Sequence, residues 1–294
     1  MAAKKKVKRR KKKTVTEAFA ESLISPDKWK WKVMFGVPSM GIIRMEWHNA
    51  FVNMVLPMNW SVSRIVHPVR VLTPLRYHVA EAQNVIVQRI LAQPQWEYLL
   101  FVEDDVIVPP NLMTRMQQWI KHDVYPMVSG LYNLKATPTQ PMTFRGRGSG
   151  SYEGWRKGPG RAEKQSPLPH GVKPSEVAMC DGVPTGCLLI STKLLRVAWN
   201  HSAEMVLRCQ RTDGSISEIQ TREVFQTIRE AGIDPENGNY FARYATSDLH
   251  FCDNAIDKKW LKEAGYPEAA KMKYPFPVDL AIQCGHITQD GTLF

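Results

Sequence analysis

Three consecutive carboxylates, Glu103, Asp104 and Asp105, close an apolar run in Tyr98-Leu-Leu-Phe-Val-Glu-Asp-Asp-Val-Ile-Val-Pro-Pro110. Like charges at the mouth of a buried strand repel one another, and partial desolvation adds to the cost of ionising them. A divalent cation removes that difficulty. Asp and Glu oxygens are hard ligands that suit Mn2+ or Mg2+, which keep several waters and take further ligands from substrate phosphates. The plainer account makes the triplet a polar strand end that caps the helix beginning near Pro110. That account leaves the mutual repulsion unanswered.

The elements around the triplet follow a repeating order. Trp31 to Pro38 reads as a buried strand closed by a proline, and Arg44 to Met54 carries apolar residues at helical spacing. Val62 to Leu72 returns to a β-like composition. Tyr77 to Leu91 is an amphipathic helix with Val79, Ala82, Ile86, Ile90 and Val87 on its buried side, stopping before Pro94. Tyr98 to Val102 is the strand that feeds the triplet. Leu112 to His122 reads as a helix, Tyr125 to Leu131 and Gly186 to Ser191 as strands, and Thr192 to His201 as a helix. Short apolar strands alternating with helices predict an α/β domain with a mixed, largely parallel sheet and helices on both faces. The carboxylates then stand at the C-terminal end of a central strand, where open α/β sheets place their ligands. The domain is expected to span 29–294 and to carry a long flexible loop over 136–178, rich in Gly, Pro, Arg and Lys.

With these residues in place, the chain resembles nucleotide-sugar-dependent glycosyltransferases of the GT-A fold, a Rossmann-like architecture, and especially their family 2-like branch. Phe101-Val-Glu-Asp-Asp-Val106 is similar to their D-x-D signature, and Val33 to Pro38 to the first strand, which carries the nucleotide base. Ala80-Glu-Ala-Gln-Asn84 matches the helix segment near the nucleotide sugar. Asp181 to Ile190 resembles the glycine-bearing acceptor segment, Ser247-Asp-Leu-His-Phe-Cys252 the Glu-Asp-x-x-Phe segment, and Cys284-Gly-His286 the late metal-ligand histidine. The ordered similarity runs from Trp31 to Ile287.

The resemblance implies a role for each position. Asp105 would bind the metal directly, His286 would complete its shell, and Glu103, in place of the usual first Asp, would reach the ribose or the metal through water. Asp104 is supporting. Val37, Pro38, Ser39, Gln83, Asn84 and Gly186 would contact the nucleotide sugar, expected to be a UDP-sugar. Asp248 stands where the group places the base of an inverting transfer, a carboxylate that takes the acceptor hydroxyl's proton. The other account of Asp248 makes it a cap on a helix running from Phe251 to Ala264. Two departures are visible: Ser247 replaces an acid, and Gln83 replaces an arginine near the diphosphate, a charge that Arg89, Arg76 or a loop arginine would have to supply.

The net charge of +11 comes mostly from one arm, Lys4 to Lys13, so the remainder of the chain is close to neutral. Residues 1–28 form that basic arm, expected to be disordered, and a short lead-in helix over Val15 to Leu23. Such an arm suits a polyanion, with DNA slightly ahead of an anionic membrane surface. Together with the Arg- and Gly-rich loop around Trp155, it admits a hydroxymethylated DNA base as acceptor beside surface polysaccharide or lipid-linked glycans. No apolar run is long enough for a membrane span or a signal core, and five cysteines without C-x-x-C spacing fit reduced thiols. A cytoplasmic enzyme is expected, phage- or virus-encoded if DNA is the acceptor; in a nucleated cell the arm reads as a nuclear import signal. Two other functions fit less of the sequence. A nucleotidyltransferase would want a basic phosphate loop that Val37-Pro-Ser-Met-Gly41 lacks, and a non-enzymatic nucleic-acid-binding module leaves the triplet without work.

Overall fold

The structure, a computed structural model, describes residues 33–39, 41–56, 71–72, 77–146, 153–154, 167–210, 215–233, 235–236, 238–288 and 290–294. All of these fall in one compact unit made of Lys32–Leu56 and Val69–Phe294. The basic arm, the lead-in helix, the start of the first strand, most of Val62 to Leu72, Arg76 and Trp155 lie outside the described residues.

In chain order the elements are β1 (Val33–Gly36), α1 (Met45–Val52), β2 (Val71–Leu72), α2 (Val79–Leu91), β3 (Tyr98–Val102), β4 (Val106–Ile107), α3 (Leu112–His122) and β5 (Met127–Leu131). Then follow β6 (Phe144–Arg145), β7 (Glu153–Gly154), β8 (Val177–Cys180), β9 (Cys187–Ser191), α4 (Thr192–His201) and two hairpins. The hairpins are β10 (Glu204–Gln210) with β11 (Ile216–Arg222), and β12 (Ile228–Ile233) with β13 (Tyr240–Ala245). The chain closes with α5 (Ser247–Asp257), α6 (Trp260–Glu263), α7 (Pro267–Ala270), β14 (Phe276–Gln283) and β15 (Gly285–His286).

Seven strands form one sheet in the order β2-β1-β3-β9-β5-β14-β8. The pairs β1–β2, β1–β3 and β5–β14 are parallel, while β9 and β8 run against their neighbours. The expected mixed, largely parallel α/β sheet is therefore what the chain adopts. β1, β3 and β9 are buried along their whole length, which their continuous apolar sequences require of strands covered by helices. Gly36 lets α2 approach β1 closely, since a Cβ there would lie 2.8 Å from Ile86 Cγ2.

Four differences from the sequence reading have physical reasons. Val79, expected in the core, is 51% exposed, because the first turn of α2 stands at the rim of a cleft. The helix expected over Phe251 to Ala264 starts earlier, at Ser247, and breaks at Lys259, which has left-handed backbone (φ 59°). Within the stretch read as one long loop, β6 pairs with β7, Asn133 bridges Pro141, and β8 joins the sheet. The two hairpins were not expected: β11 alternates exposed and half-buried residues over most of its length, so no apolar run marks it.

Four of the five cysteines, Cys180, Cys187, Cys252 and Cys284, are free and buried. Among the described residues no helix is long and apolar enough to cross a membrane.

Candidate active site

β3 lies between β1 and β9, so its end is fixed from both sides. The triplet then turns sharply, with Val106 N donating to Glu103 O at 3.1 Å. Its backbone is held at three more points. Glu103 N donates to Gly186 O (3.1 Å), the Trp47 indole donates to Glu103 O (2.8 Å), and Ile287 N donates to Asp105 O (2.9 Å). Trp47 is itself anchored by stacking on Phe51, whose ring stands edge-on to Phe35 of β1. Because β4 pairs with β15, opposing Val106 to His286, the far end of the chain is brought onto the acidic turn.

Glu103 and Asp105 belong to different networks. On the Glu103 side, Ser247 Oγ donates to Gln83 Oε1 (3.0 Å), Gln83 Nε2 donates to Thr185 Oγ1 (2.9 Å), and Thr185 Oγ1 donates to Glu103 Oε1 (2.9 Å). Gln83, Thr185 and Ser247 are all buried, so α2, the link into β9 and the start of α5 are joined by one polar chain that ends on a carboxyl. Burial, and then the charges of Asp105, Asp248 and Asp104, push Glu103 up to about 8 against the opposing Thr185 hydrogen bond. Asp248 sits in the first turn of α5, two residues past Thr246, which holds the N-cap position in place of the cap read for Asp248. Its Oδ1 accepts from Leu249 N at 2.9 Å, and burial raises its pKa despite hydrogen bonds to Thr246 and to the backbone. Both carboxyls face a cleft of about 700 Å³ lined also by His78, Asn84, Thr185, Glu223 and Arg229.

On the Asp105 side, Lys135 Nζ forms an ion pair with Asp105 Oδ2, and His286 Nε2 stands 3.5 Å from the same oxygen. His286 Nδ1 lies 2.7 Å from Asn133 O. A carbonyl only accepts, so Nδ1 carries the proton and Nε2 is the nitrogen offered to the acidic turn. The Tyr132 ring stands edge-on to the imidazole at 5.4 Å, and its hydroxyl accepts from Gly186 N at 3.0 Å. Gly186 has to be a glycine here, since a Cβ would lie 2.4 Å from the Tyr132 ring and hydroxyl. Burial alone would raise Asp105, but His286 and Lys135 outweigh it and hold its pKa below the usual range. Asp105 Oδ1 is buried without a hydrogen-bond partner.

This half of the turn fits a divalent cation with few protein ligands. Among the described residues no three His, Cys, Asp or Glu side chains converge as a ready-made cage, and Glu103 is turned towards Thr185. Asp105 and His286 offer an orphaned carboxylate oxygen and a nitrogen oriented by a backbone carbonyl. Mn2+ and Mg2+ commonly bind through one or two side chains and complete their shells with water and phosphate.

The remaining residues singled out in the sequence are placed as follows. Asn84 is buried and pins Phe225 by two hydrogen bonds, Nδ2 to Phe225 O (2.9 Å) and Phe225 N to Oδ1 (2.8 Å). Gln83 and Asn84 thus commit their amides to the cleft walls. The register Gly36↔Phe101 sets Val37, Pro38 and Ser39 beside the end of β3; Val37 and Ser39 are buried, and Ser39 Oγ accepts from Gly41 N at 3.0 Å. Asp104 is half-buried in the turn. Arg89 is exposed in the last turn of α2, at the end opposite the cleft. Sequence reasoning passed over Thr185, Tyr132, Lys135, Glu223 and Arg229. Thr185 lies inside the segment quoted for its glycine; the others stand in stretches with no local pattern to mark them.

No protein-family model and no curated protein matches the chain. Among solved structures, A197 from STIV aligns over 89% of this chain and 92% of its own, with 14% identity and a TM-score of 0.47. A glycosyltransferase involved in the glycosylation of the major capsid of PBCV-1 aligns over 57% of this chain and 65% of its own, with 10% identity and a TM-score of 0.26. TarS 1-349 of S. aureus aligns over 55% of this chain and 48% of its own, with 15% identity and a TM-score of 0.29.

Proposed function

We propose that the chain is a metal-dependent glycosyltransferase that moves a monosaccharide from a nucleoside-diphosphate sugar, a UDP-sugar by expectation, to a hydroxyl acceptor with inversion. The observation that carries this reading is the division of the acidic turn. One side offers Asp105 and His286 to a cation, and the other sets Glu103 beside Asp248 on a cleft.

Asp105 and His286 would hold Mn2+ or Mg2+, which supplies Lewis-acid neutralisation of the departing diphosphate. Val37 to Ser39 and the first turn of α2 flank the donor's nucleoside. Glu103, held by Thr185 and pushed up to about 8 by burial and the neighbouring acids, would set less negative charge beside the phosphates than a free carboxylate. Asp248 takes the proton of the acceptor hydroxyl as that oxygen forms its bond to the anomeric carbon and the bond to the diphosphate breaks. Burial supports this role by raising its basicity above that of a free Asp.

The cleft presents the carboxyl side chains of Glu81, Glu103, Glu223 and Asp248 with Arg229. That lining favours a glycan hydroxyl over an acceptor that carries its phosphates into the cleft. A hydroxymethylated DNA base would enter alone, with its backbone left to the arm.

A thermal-shift panel of nucleoside diphosphates and sugar nucleotides, with and without Mn2+, tests the reading on wild type and Asp105→Ala. One diphosphate should raise the melting temperature only when both Mn2+ and Asp105 are present. A folded protein that shows no metal-linked shift with any nucleotide would overturn it.

A further inference from the structure

Three groups meet at one atom of the site. Lys135 Nζ and His286 Nε2 both face Asp105 Oδ2, and His286 is committed through Nδ1 to Asn133 O. The full positive charge that stands on this oxygen is the Lys135 ammonium, with the His286 imidazole beside it. We infer that Lys135 is a resident counter-cation: it holds Asp105 in the metal-free protein, gives the carboxylate up to a divalent cation, and then turns its charge on the donor's phosphates.

The surroundings of Lys135 suit such an exchange. It belongs to a short excursion after β5 whose base is closed by the Asn133↔Pro141 bridge and by Leu134 N donating to Gln140 O at 2.8 Å. The residue that orients His286 is therefore the base of the turn that carries Lys135, so the backbone stays fixed while the side chain moves. The lysine side chain is 28% exposed, so its ion pair with Asp105 stands on an open rim and is not a buried lock. A lysine suits this task better than an arginine. Its charge is compact, its four-carbon stem is flexible, and it binds phosphate as a point charge without a fixed fork to satisfy. An ammonium on Oδ2 and a divalent cation taking the orphaned Oδ1 would stand close together on one carboxylate, where their like charges repel in a partly desolvated turn. The displaced ammonium stays within a side-chain length of that turn, where the diphosphate would bring its negative charge.

The inference rests on the metal reading of Asp105 and His286, and the experiment separates the two. Mn2+ alone is titrated into the full chain and followed by the electron paramagnetic resonance of the free ion, for wild type, Lys135→Met, Lys135→Arg and Asp105→Ala. UDP is then titrated into each at saturating Mn2+, read by calorimetry. Lys135→Met should bind Mn2+ about tenfold more tightly than wild type, equivalent to ~1.4 kcal/mol, and UDP about tenfold more weakly; Lys135→Arg, which keeps the charge but not the compact head group, should fall between the two in both. Mn2+ binding that is lost in Asp105→Ala but unchanged in Lys135→Met overturns the role of Lys135 and leaves the metal site standing. Tighter Mn2+ with unchanged UDP affinity overturns the transfer of charge to the donor. No Mn2+ binding by wild type or by Lys135→Met removes both readings. The substitution lies on a solvent-facing turn, so loss of folding does not confuse the result.

Discussion

Two aspartates of this domain, Asp279 within strand β14 and Asp105 in the turn after β3, have opposite surroundings. Asp279 of β14 is fully buried, and every lone-pair direction is used. Arg115 forks onto it through Nε (3.0 Å) and Nη2 (2.8 Å), the Trp119 indole donates at 2.8 Å, and Ala281 N donates at 3.0 Å. Arg115 also reaches Glu176 at 3.2 Å, tying α3 to the approach to β8. Asp105 is more open, shares its turn with two other acids, and leaves one buried oxygen unpartnered. A carboxylate with a complete set of donors is part of the framework; one with an orphaned oxygen among like charges is kept for a ligand. The contrast marks Asp279 as a residue of the framework and fits the ligand-binding role proposed for Asp105, although both are acids of the same domain.

The comparison breaks first at its largest expected effect. Asp279→Ala strips the bidentate partner from a mostly buried arginine and should cost about 3–5 kcal/mol in urea unfolding; a loss below about 1 kcal/mol would put Asp279 in the same class as Asp105. Gly186→Ala drives a Cβ into Tyr132 and should destabilise by about 1–3 kcal/mol while weakening the metal-linked thermal shift, since Tyr132 stands against His286. In the metal-free protein Glu103→Gln removes a desolvated acid repelled by Asp105 and Asp248, and should raise stability by about 1 kcal/mol near pH 8; a clear decrease would show that Glu103 belongs with Asp279. Asp105→Ala should change stability by less than about 1 kcal/mol, yet abolish the nucleotide- and Mn2+-dependent shift, which sharpens the contrast most.

What was legible in the sequence follows the range of the forces involved. α1, α2, α3, α4 and β3 could be read because their apolar periodicity is local, and the triplet stood out because three acids interrupt an apolar strand. The hairpins β10–β11 and β12–β13 could not, since β11 alternates between exposure and partial burial, β12 is mostly exposed, and both carry Arg and Glu within the strand. The reversed direction of β9 is a property of pairing across distant segments, and an apolar run such as Cys187 to Ser191 does not encode it. The same holds in the site. Thr185 and Gln83 are joined across 102 positions, and Asn133 orients His286 across 153. Lys135 carries no signal of its own; its position on Asp105 arises from the turn after β5.

The pairing of β4 with β15 has a consequence for the growing chain. A nascent polypeptide displays its acidic turn long before His286 has been made, since β4 pairs with a strand that follows β14 in the chain. The cation binding proposed for Asp105 and His286 together would thus appear only late in synthesis. It would serve as a timer for completed folding: a chain stalled before β14 would carry the acids and bind nothing through them.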